Sequence, residues 1–310
     1  MSGLAGLQFP ARLQEGDRIC VVLPSGGVTL ADLEPGLQYW RQWGYEVVSL
    51  VPQESSELEY LAGTDGARLN SLQTALDDPH CRAIVCGRGG YGATRLLPHL
   101  DWTQFCQSPK WIVGFSDITA LLWAAARRGV ASVHGPIVKH MPLESDVSRD
   151  RLHGWLTQGY VDSLQGLVWS GGTATGLLMP ANLTVATALL GTRDWPLADR
   201  PAILAIEDIN EEAYRLDRLL TQWRNAGAFE GVAGIALGRF SWSDDWHEPV
   251  PYSAEAALRD RLLDLGIPIV AQLKFGHGEG DNLALPVGAI ARLDGDRGSL
   301  SLLEATPPIS

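Results

Sequence analysis

Lys110-Trp111-Ile112-Val113-Gly114-Phe115-Ser116-Asp117-Ile118-Thr119-Ala120-Leu121-Leu122-Trp123 is the stretch on which the architecture turns. A short apolar run closes on a glycine and a serine, and an apolar helical pattern begins at once. The pattern predicts a strand, a sharp turn and a helix, with the Ser116 hydroxyl at the corner. A serine held there stands above the edge of a sheet, and the first amides of the following helix point towards it. Two readings fit: a nucleophile, or a serine that only N-caps the helix, a position the residue favours. The esterase elbow is Gly-x-Ser-x-Gly, and here Ile118 takes the place of the second glycine.

The surrounding segments repeat the same alternation. Asp17 to Leu23 reads as a buried strand closed by Pro24-Ser25-Gly26-Gly27, Leu30 to Gly44 as a helix and Tyr45 to Val51 as a strand. Ala67 to Leu76 is helical, Cys81 to Cys86 and Trp111 to Phe115 are strands, Asp117 to Arg128 is a helix, and Ala131 to His134 opens another strand. Uniformly apolar strands that alternate with helices indicate a parallel sheet covered on both faces.

Beyond residue 166 the texture changes. Leu167 to Trp169, Thr175 to Leu178, Ala202 to Ile206, Gly234 to Gly238, Ile269-Val270 and Ala289 to Leu293 are short strand-like runs among turn signals, with one clear helix at Arg215 to Ala226. The expected organisation is α/β. A Rossmann-like N-terminal domain spans residues 1–145, a linker 146–172, and a smaller β-rich C-terminal domain 173–310. The linker is placed there because Met141 to Gly166 is polar and lacks an obvious strand.

Composition narrows the function classes. The chain has 310 residues, 45% of them hydrophobic, and a net charge of −12. That charge argues against a nucleic-acid partner, which needs a basic face. An anionic substrate would require its own local Arg or Lys. The longest apolar stretch, Ala120 to Ala126, is too short to span a membrane, and residues 1–10 lack the features of a signal peptide. A cytoplasmic location is therefore expected. Cys20, Cys81, Cys86 and Cys106 show no Cys-x-x-Cys spacing, so buried free thiols fit better than disulfides or a zinc site. No metal and no organic cofactor is expected.

Gly87-Arg88-Gly89-Gly90-Tyr91-Gly92 satisfies Gly-x-Gly-x-x-Gly between a strand and a helix, and Asp117 lies at a distance suited to a ribose ligand. Against a dinucleotide site, the motif follows the third strand rather than the first, and Pro98 breaks the next helix. The loop could also be a plain tight turn, or a set of amides facing the Ser116 corner, since neighbouring parallel strands bring both turns to one edge.

A serine nucleophile needs a base and the base needs an orienter. His80 and His99 lie near the glycine loop, His134 ends a strand, and His140, His153 and His247 sit in polar stretches and read as solvated. His277 is framed by three glycines in Phe275 to Asn282, a loop that presents a side chain. It also reads as a turn histidine, or a weak metal ligand with Glu279 and Asp281. Glu207 closes the apolar run Ala202 to Ile206, where an unpartnered carboxylate is costly. Asp208 is its alternative.

Together these segments resemble the LD-carboxypeptidase family of serine peptidases, which includes muramoyltetrapeptide carboxypeptidases and microcin-immunity peptidases. The matching pieces are Gly16-Asp17, Pro24-Ser25-Gly26, Arg88 to Gly92, Gly114 to Asp117, His134-Gly135-Pro136, Asn182-Leu183, Glu207-Asp208, Tyr214-Arg215 with Asp217-Arg218, Gly276-His277, Asn282 and Leu285 to Gly288. The ordered set covers nearly the whole chain. Two departures concern the substrate rather than the triad. Pro180-Ala181 stand where the family has two glycines, and the Trp-rich stretch Ser241 to Tyr252 looks peculiar to this chain.

The resemblance implies a triad of Ser116, His277 and Glu207 assembled where the two halves meet. It also implies a murein tetrapeptide substrate, cleaved at the L,D-bond that releases terminal D-alanine. The amides of Gly90 and Asp117 are the proposed oxyanion donors. Arg88 suits a terminal carboxylate, and Tyr91, Asn182 and Tyr214 are further substrate-contact candidates. A homodimer remains open. Two alternatives stand beside this reading. One is a microcin-immunity-type peptidase that cleaves an aminoacyl-nucleotide, for which Trp242 and Trp246 could stack on the base. The other is a non-catalytic dinucleotide-binding protein using Gly87, Gly89, Gly92 and Asp117.

Overall fold

Residues 7–52, 57–197, 200–241, 253–278 and 280–304 are described in the computed structural model of the chain. In the first half, strands β1 (Arg18–Val22), β2 (Glu46–Ser49), β3 (Cys81–Cys86), β4 (Trp111–Gly114) and β5 (Ser132–His134) alternate with helices α1 (Leu30–Gln42), α2 (Asp65–Asp77), α3 (Ala93–Leu96), α4 (Thr103–Gln107) and α5 (Thr119–Arg127). Helix α6 (Asp146–Gln158) follows. The second half holds β6 (Leu164–Gln165), β7 (Leu167–Ser170), β8 (Thr173–Asn182), β9 (Ala202–Ile209), β10 (Val232–Ser241), β11 (Ile269–Ala271), β12 (Leu285–Val287), β13 (Ile290–Asp294) and β14 (Ser299–Glu304). Its helices are α7 (Leu183–Leu189), α8 (Ala213–Asn225) and α9 (Ala254–Leu262).

Two sheets result. The first has the order β12-β5-β4-β3-β1-β2, and β1 to β5 pair in parallel. Strands β1, β3, β4 and β5 are buried on both faces, as a covered parallel sheet requires, whereas β2 at the edge is only partly covered. Its last strand comes from the far end of the chain: β12 pairs antiparallel with β5, Leu285 opposite His134. The second sheet has the order β6-β14-β13-β8-β9-β10-β11-β7. Its centre, β8 to β11, is parallel, and antiparallel strands flank it. This is the mixed α/β architecture expected, with a second sheet in the second half.

The polar stretch 146–172, expected as a linker, contains α6 and two short strands. Ser145 caps α6 by accepting from the Ser148 amide, and Gly159 ends it in the left-handed region at φ 69°. Leu152, Trp155 and Leu156 are fully buried in the core beside the first sheet. The frequent charges on its outer face mask this apolar face in the sequence.

Helix α5 joins the halves. Every residue from Thr119 to Ala126 is buried, so it is a core helix rather than an amphipathic one. Trp123 Nε1 donates to the Pro180 carbonyl on β8 at 3.0 Å. The Trp123 ring lies 5.3 Å from Trp195 and 6.4 Å from Trp223 of α8. Pro180 and Ala181 therefore stand in an intact strand, paired with Ala205 and Ile206 of β9. Cys20, Cys81 and Cys86 are buried free thiols, whereas Cys106 is free but exposed. Among the described residues no helix is long and apolar enough to cross a membrane.

Candidate active site

Strand β4 ends at Gly114, and the chain turns at Ser116 with φ 65°. A non-glycine residue in that region is strained by about 1–3 kcal/mol, and such strain concentrates at functional sites. Ser116 is half-buried and opens a single 3₁₀ turn, Ser116–Ile118, that runs into α5. The N-cap position of that turn is Phe115 and that of α5 is Ile118, so Ser116 caps neither, which removes the N-cap reading. The glycine loop lies directly against it. A Cβ on Gly89 would sit 2.8 Å from Ser116 Cβ and 2.9 Å from Oγ, so only glycine permits this approach.

Helix α5 carries the corner to the second sheet. Thr119 Oγ1 accepts from the Asn182 amide at 2.9 Å. Asn182 is in register with Glu207 on β9, and its Nδ2 donates to Glu207 Oε1 at 3.3 Å and to Asp208 Oδ1 at 2.9 Å. Glu207 is fully buried. Its Oε2 accepts from His277 Nδ1 at 2.7 Å and from the His277 amide at 2.9 Å. The Phe115 ring, next to Ser116, lies 4.7 Å from the His277 ring. Ser116, Glu207 and His277 thus converge from β4, β9 and the loop after β11. Among the described residues no hydrogen bond joins Ser116 Oγ to His277. Such contacts are often long until substrate binds.

The electrostatics follow from burial and pairing. Burial works to lower the His277 pKa, but the charge of Glu207 and its hydrogen bond outweigh this and leave it raised. Burial works to raise Glu207, yet His277 and the bonds it supplies hold it below its ordinary value. The two shifts have the signs of one ion pair. Asp208 is pushed up to about 6, first by burial and then by the charge of Glu207. An imidazole whose Nδ1–H is held by a buried carboxylate presents Nε2 as a proton acceptor.

Gly276 has φ +89°, and a Cβ there would lie 2.5 Å from Glu207 Cβ and Cγ. Gly276→Ala should therefore displace the Glu207–His277 pair. We expect kcat to fall by about a hundredfold, the size of a misplaced catalytic group, with KM little changed. Steady-state kinetics on the folded variant checks this, and an unaltered kcat would rule out the geometric coupling.

The other sequence candidates fall into place individually. The amides of Gly90 and Asp117 have no hydrogen-bond acceptor among the described residues, and Gly90 holds φ +108° beside Gly26. The Asp117 side chain is buried, accepting from Ser25 Oγ at 2.6 Å and the Ala93 amide at 2.8 Å. It is closed to a ribose, and the helix after the glycine loop has only four residues. Both facts overturn the dinucleotide reading. Arg88 is exposed, donates to the Gly27 carbonyl and has no carboxylate partner among the described residues. Tyr91 is exposed, 6.0 Å from the Tyr60 ring. Tyr214 is exposed on α8 and accepts from Arg215 Nε.

Asn182 needs correction as a substrate contact. It is buried, its Oδ1 accepts from the Val185 amide at 3.1 Å, and its Nδ2 is shared between Glu207 and Asp208. It holds the carboxylates and has no group left to reach outward. His134 is completely buried between Phe115 and Phe275, its ring nitrogens have no hydrogen-bond partner among the described residues, and burial pushes it down to about 4. It is not a competing base. His140 and His153, read as solvated, are half-buried: His140 faces Phe115, and His153 stacks on Trp43 at 4.6 Å. Asp281 accepts from the Ser145 amide. Glu279, His247, Trp242 and Trp246 lie outside the described residues.

The comparisons with known proteins agree with this layout. Residues 19–135 match the LD-carboxypeptidase N-terminal domain and residues 175–293 the LD-carboxypeptidase C-terminal domain. A putative carboxypeptidase of Synechocystis sp. is 48% identical over 95% of this chain and 97% of its own length. The murein tetrapeptide carboxypeptidase of Pseudomonas aeruginosa is 32% identical over 90% of this chain and 94% of its own. The crystal structure of muramoyltetrapeptide carboxypeptidase from Oxalobacter formigenes superposes with a TM-score of 0.81 at 29% identity, covering 92% of this chain and 97% of that one. With both domain matches in order around one convergent site, the chain belongs to the LD-carboxypeptidase family of peptidases.

Proposed function

We propose that the chain is a serine carboxypeptidase that hydrolyses the L,D-peptide bond of murein tetrapeptides and releases the terminal D-alanine. The observation that carries this reading is the buried Glu207 carboxylate held 2.7 Å from His277 Nδ1, on an arrangement keyed through Asn182 and Thr119 to the strained Ser116 corner. His277 Nε2 takes the Ser116 proton as Oγ attacks the scissile carbonyl carbon. Glu207 fixes the tautomer and stabilises the imidazolium. The amides of Gly90 and Asp117 receive the oxyanion, each such donor being worth about 3–4 kcal/mol in the transition state. The imidazolium then protonates the leaving amine of D-alanine, and water, deprotonated by His277, cleaves the acyl-enzyme.

Arg88 is the group we assign to the terminal carboxylate: a planar fork beside the oxyanion loop, without a carboxylate of its own among the described residues. Tyr91 and Tyr214 are exposed enough to contact substrate. The substrate class is supported by relatives named for murein tetrapeptides at about a third identity. On this reading the enzyme acts in the cytoplasm, in the recycling of wall fragments. The test is incubation with a murein tetrapeptide and detection of free D-alanine by mass spectrometry. Release is the expected result. Cleavage of an aminoacyl-nucleotide with the tetrapeptide untouched would replace this reading by the microcin-immunity one.

A further inference from the structure

A cavity of about 430 Å³ opens beside the His277 loop, at the carboxyl ends of the parallel strands β10 and β11, and Gly278 forms part of its wall. Such edges are where ligands settle in α/β sheets. Its apolar side is Trp169, Phe240 and Leu258; its polar side is Arg239, Gln272 and Lys274.

Three irregularities converge on it. The β9–β10 register slips between Leu237 and Phe240, so Gly238 and Arg239 stand opposite Glu207 alone. A bulge of this kind re-aims a side chain next to a functional site. Gln272 holds φ 57° without being glycine, a strain of the sort retained for function. The donors of the wall also lack acceptors. Arg239 Nη1 and Trp169 Nε1 are buried with no hydrogen-bond partner among the described residues. Neither Arg239 nor Lys274 is in an ion pair among them. The acid at the rim, Glu255, is already paired with Arg259 at 2.8 Å, and Arg259 lies 4.0 Å over the Trp169 ring. A wall rich in unanswered donors calls for a ligand rich in acceptors, because an unsatisfied buried donor is costly. The chain as a whole is strongly acidic, with a net charge of −12, so two cations on one cavity wall, neither in an ion pair among the described residues although Arg239 lies within electrostatic reach of Glu144, are a local exception.

We propose that this cavity is a specificity subsite for a carboxylate-bearing, partly apolar segment of the peptide, with the carboxylate on Arg239 and Lys274 and the aliphatic part against Trp169, Phe240 and Leu258. The inference rests on the peptidase reading above for the reaction itself. Arg88, on the first sheet, is assigned to the terminal alanine. The cavity, on the second sheet, then receives the acyl side of the substrate.

The experiment compares two tetrapeptides that differ only in a carboxylate or carboxamide on an acyl-side residue. D-alanine release is followed with the wild type, and calorimetric binding with Ser116→Ala protein. We expect amidation to lower both affinity and kcat/KM at least about tenfold, the scale of a charged hydrogen bond. In Lys274→Gln the ratio between the two peptides should shrink, and in the Arg239→Gln, Lys274→Gln double variant it should approach one. Lys274 is exposed, so its variant keeps the test informative if Arg239→Gln fails to fold. Equal handling of both peptides by the wild type, or a charge preference that survives in Lys274→Gln and in a folded double variant, overturns the subsite. Charge-dependent binding without any D-alanine release keeps the subsite and overturns the carboxypeptidase reading instead.

Discussion

Ser116→Ala should reduce tetrapeptide hydrolysis by about 10⁴–10⁶-fold, the loss seen when a triad nucleophile is removed. The fold should survive. Ser116 lies inside the 3₁₀ turn and is the N-cap of neither that turn nor α5, so its removal forfeits no cap, and substitutions without a structural role usually change stability by less than about 0.5 kcal/mol. The φ of 65° adds a sharper expectation. Ser116→Gly should be equally inactive yet more stable than wild type by about 1 kcal/mol, because glycine adopts that conformation freely. Loss of activity and gain of stability in one variant is the signature of a strained nucleophile. Thermal melts beside the activity assay read both. Retained turnover in folded Ser116→Ala protein would exclude the serine mechanism.

Glu207→Gln should move the acid limb of the kcat/KM profile to lower pH and depress the plateau by about 10²–10⁴-fold. The sign follows from the site. His277 must be neutral to accept the serine proton, so the rate falls as pH drops through its pKa in the free enzyme. Despite burial, Glu207 holds that pKa above its ordinary value. Removing the carboxylate charge leaves burial to lower it. The plateau falls because an amide can also donate to Nδ1 and so favour the wrong tautomer, while KM stays close to wild type. A limb that stays in place with unchanged rates would show that Glu207 does not orient the base.

Asn182 shows where reading the sequence stops. The Asn182-Leu183 pair is legible, but what the Asn182 amide touches depends on β8 lying beside β9 in one register. That pairing joins segments separated by a helix and a loop. The parallel first sheet was readable because each strand is a continuous apolar run, and Ser116 because a sharp corner leaves a local pattern. Glu207 was readable because a carboxylate at the end of a buried strand demands a partner. Helix α6 was hidden by Asp146, Arg149, Asp150 and Arg151, which outnumber its buried apolar residues Leu152, Trp155 and Leu156. His153 read as solvated for the same reason: charged neighbours in sequence conceal the Trp43 ring it meets in space. The cavity beside His277 had no sequence signal, since a β-bulge and a left-handed glutamine are properties of the backbone.

The antiparallel partner of β5 has a consequence for biosynthesis. Leu285 to Val287 lie late in the chain, yet they cover the edge of a sheet whose other strands end at His134. During translation the first sheet is made more than a hundred residues before its last strand leaves the ribosome. Through that interval β5 presents unpaired backbone groups at an open edge, the kind of surface that invites pairing with another nascent chain. The family's two domain profiles meet the eye as separable modules, but this closing strand ties completion of the nucleophile's sheet to arrival of the segment just beyond His277. The first sheet is completed by a strand of the second half, so the chain reaches its closed sheet only when the histidine loop is also in hand.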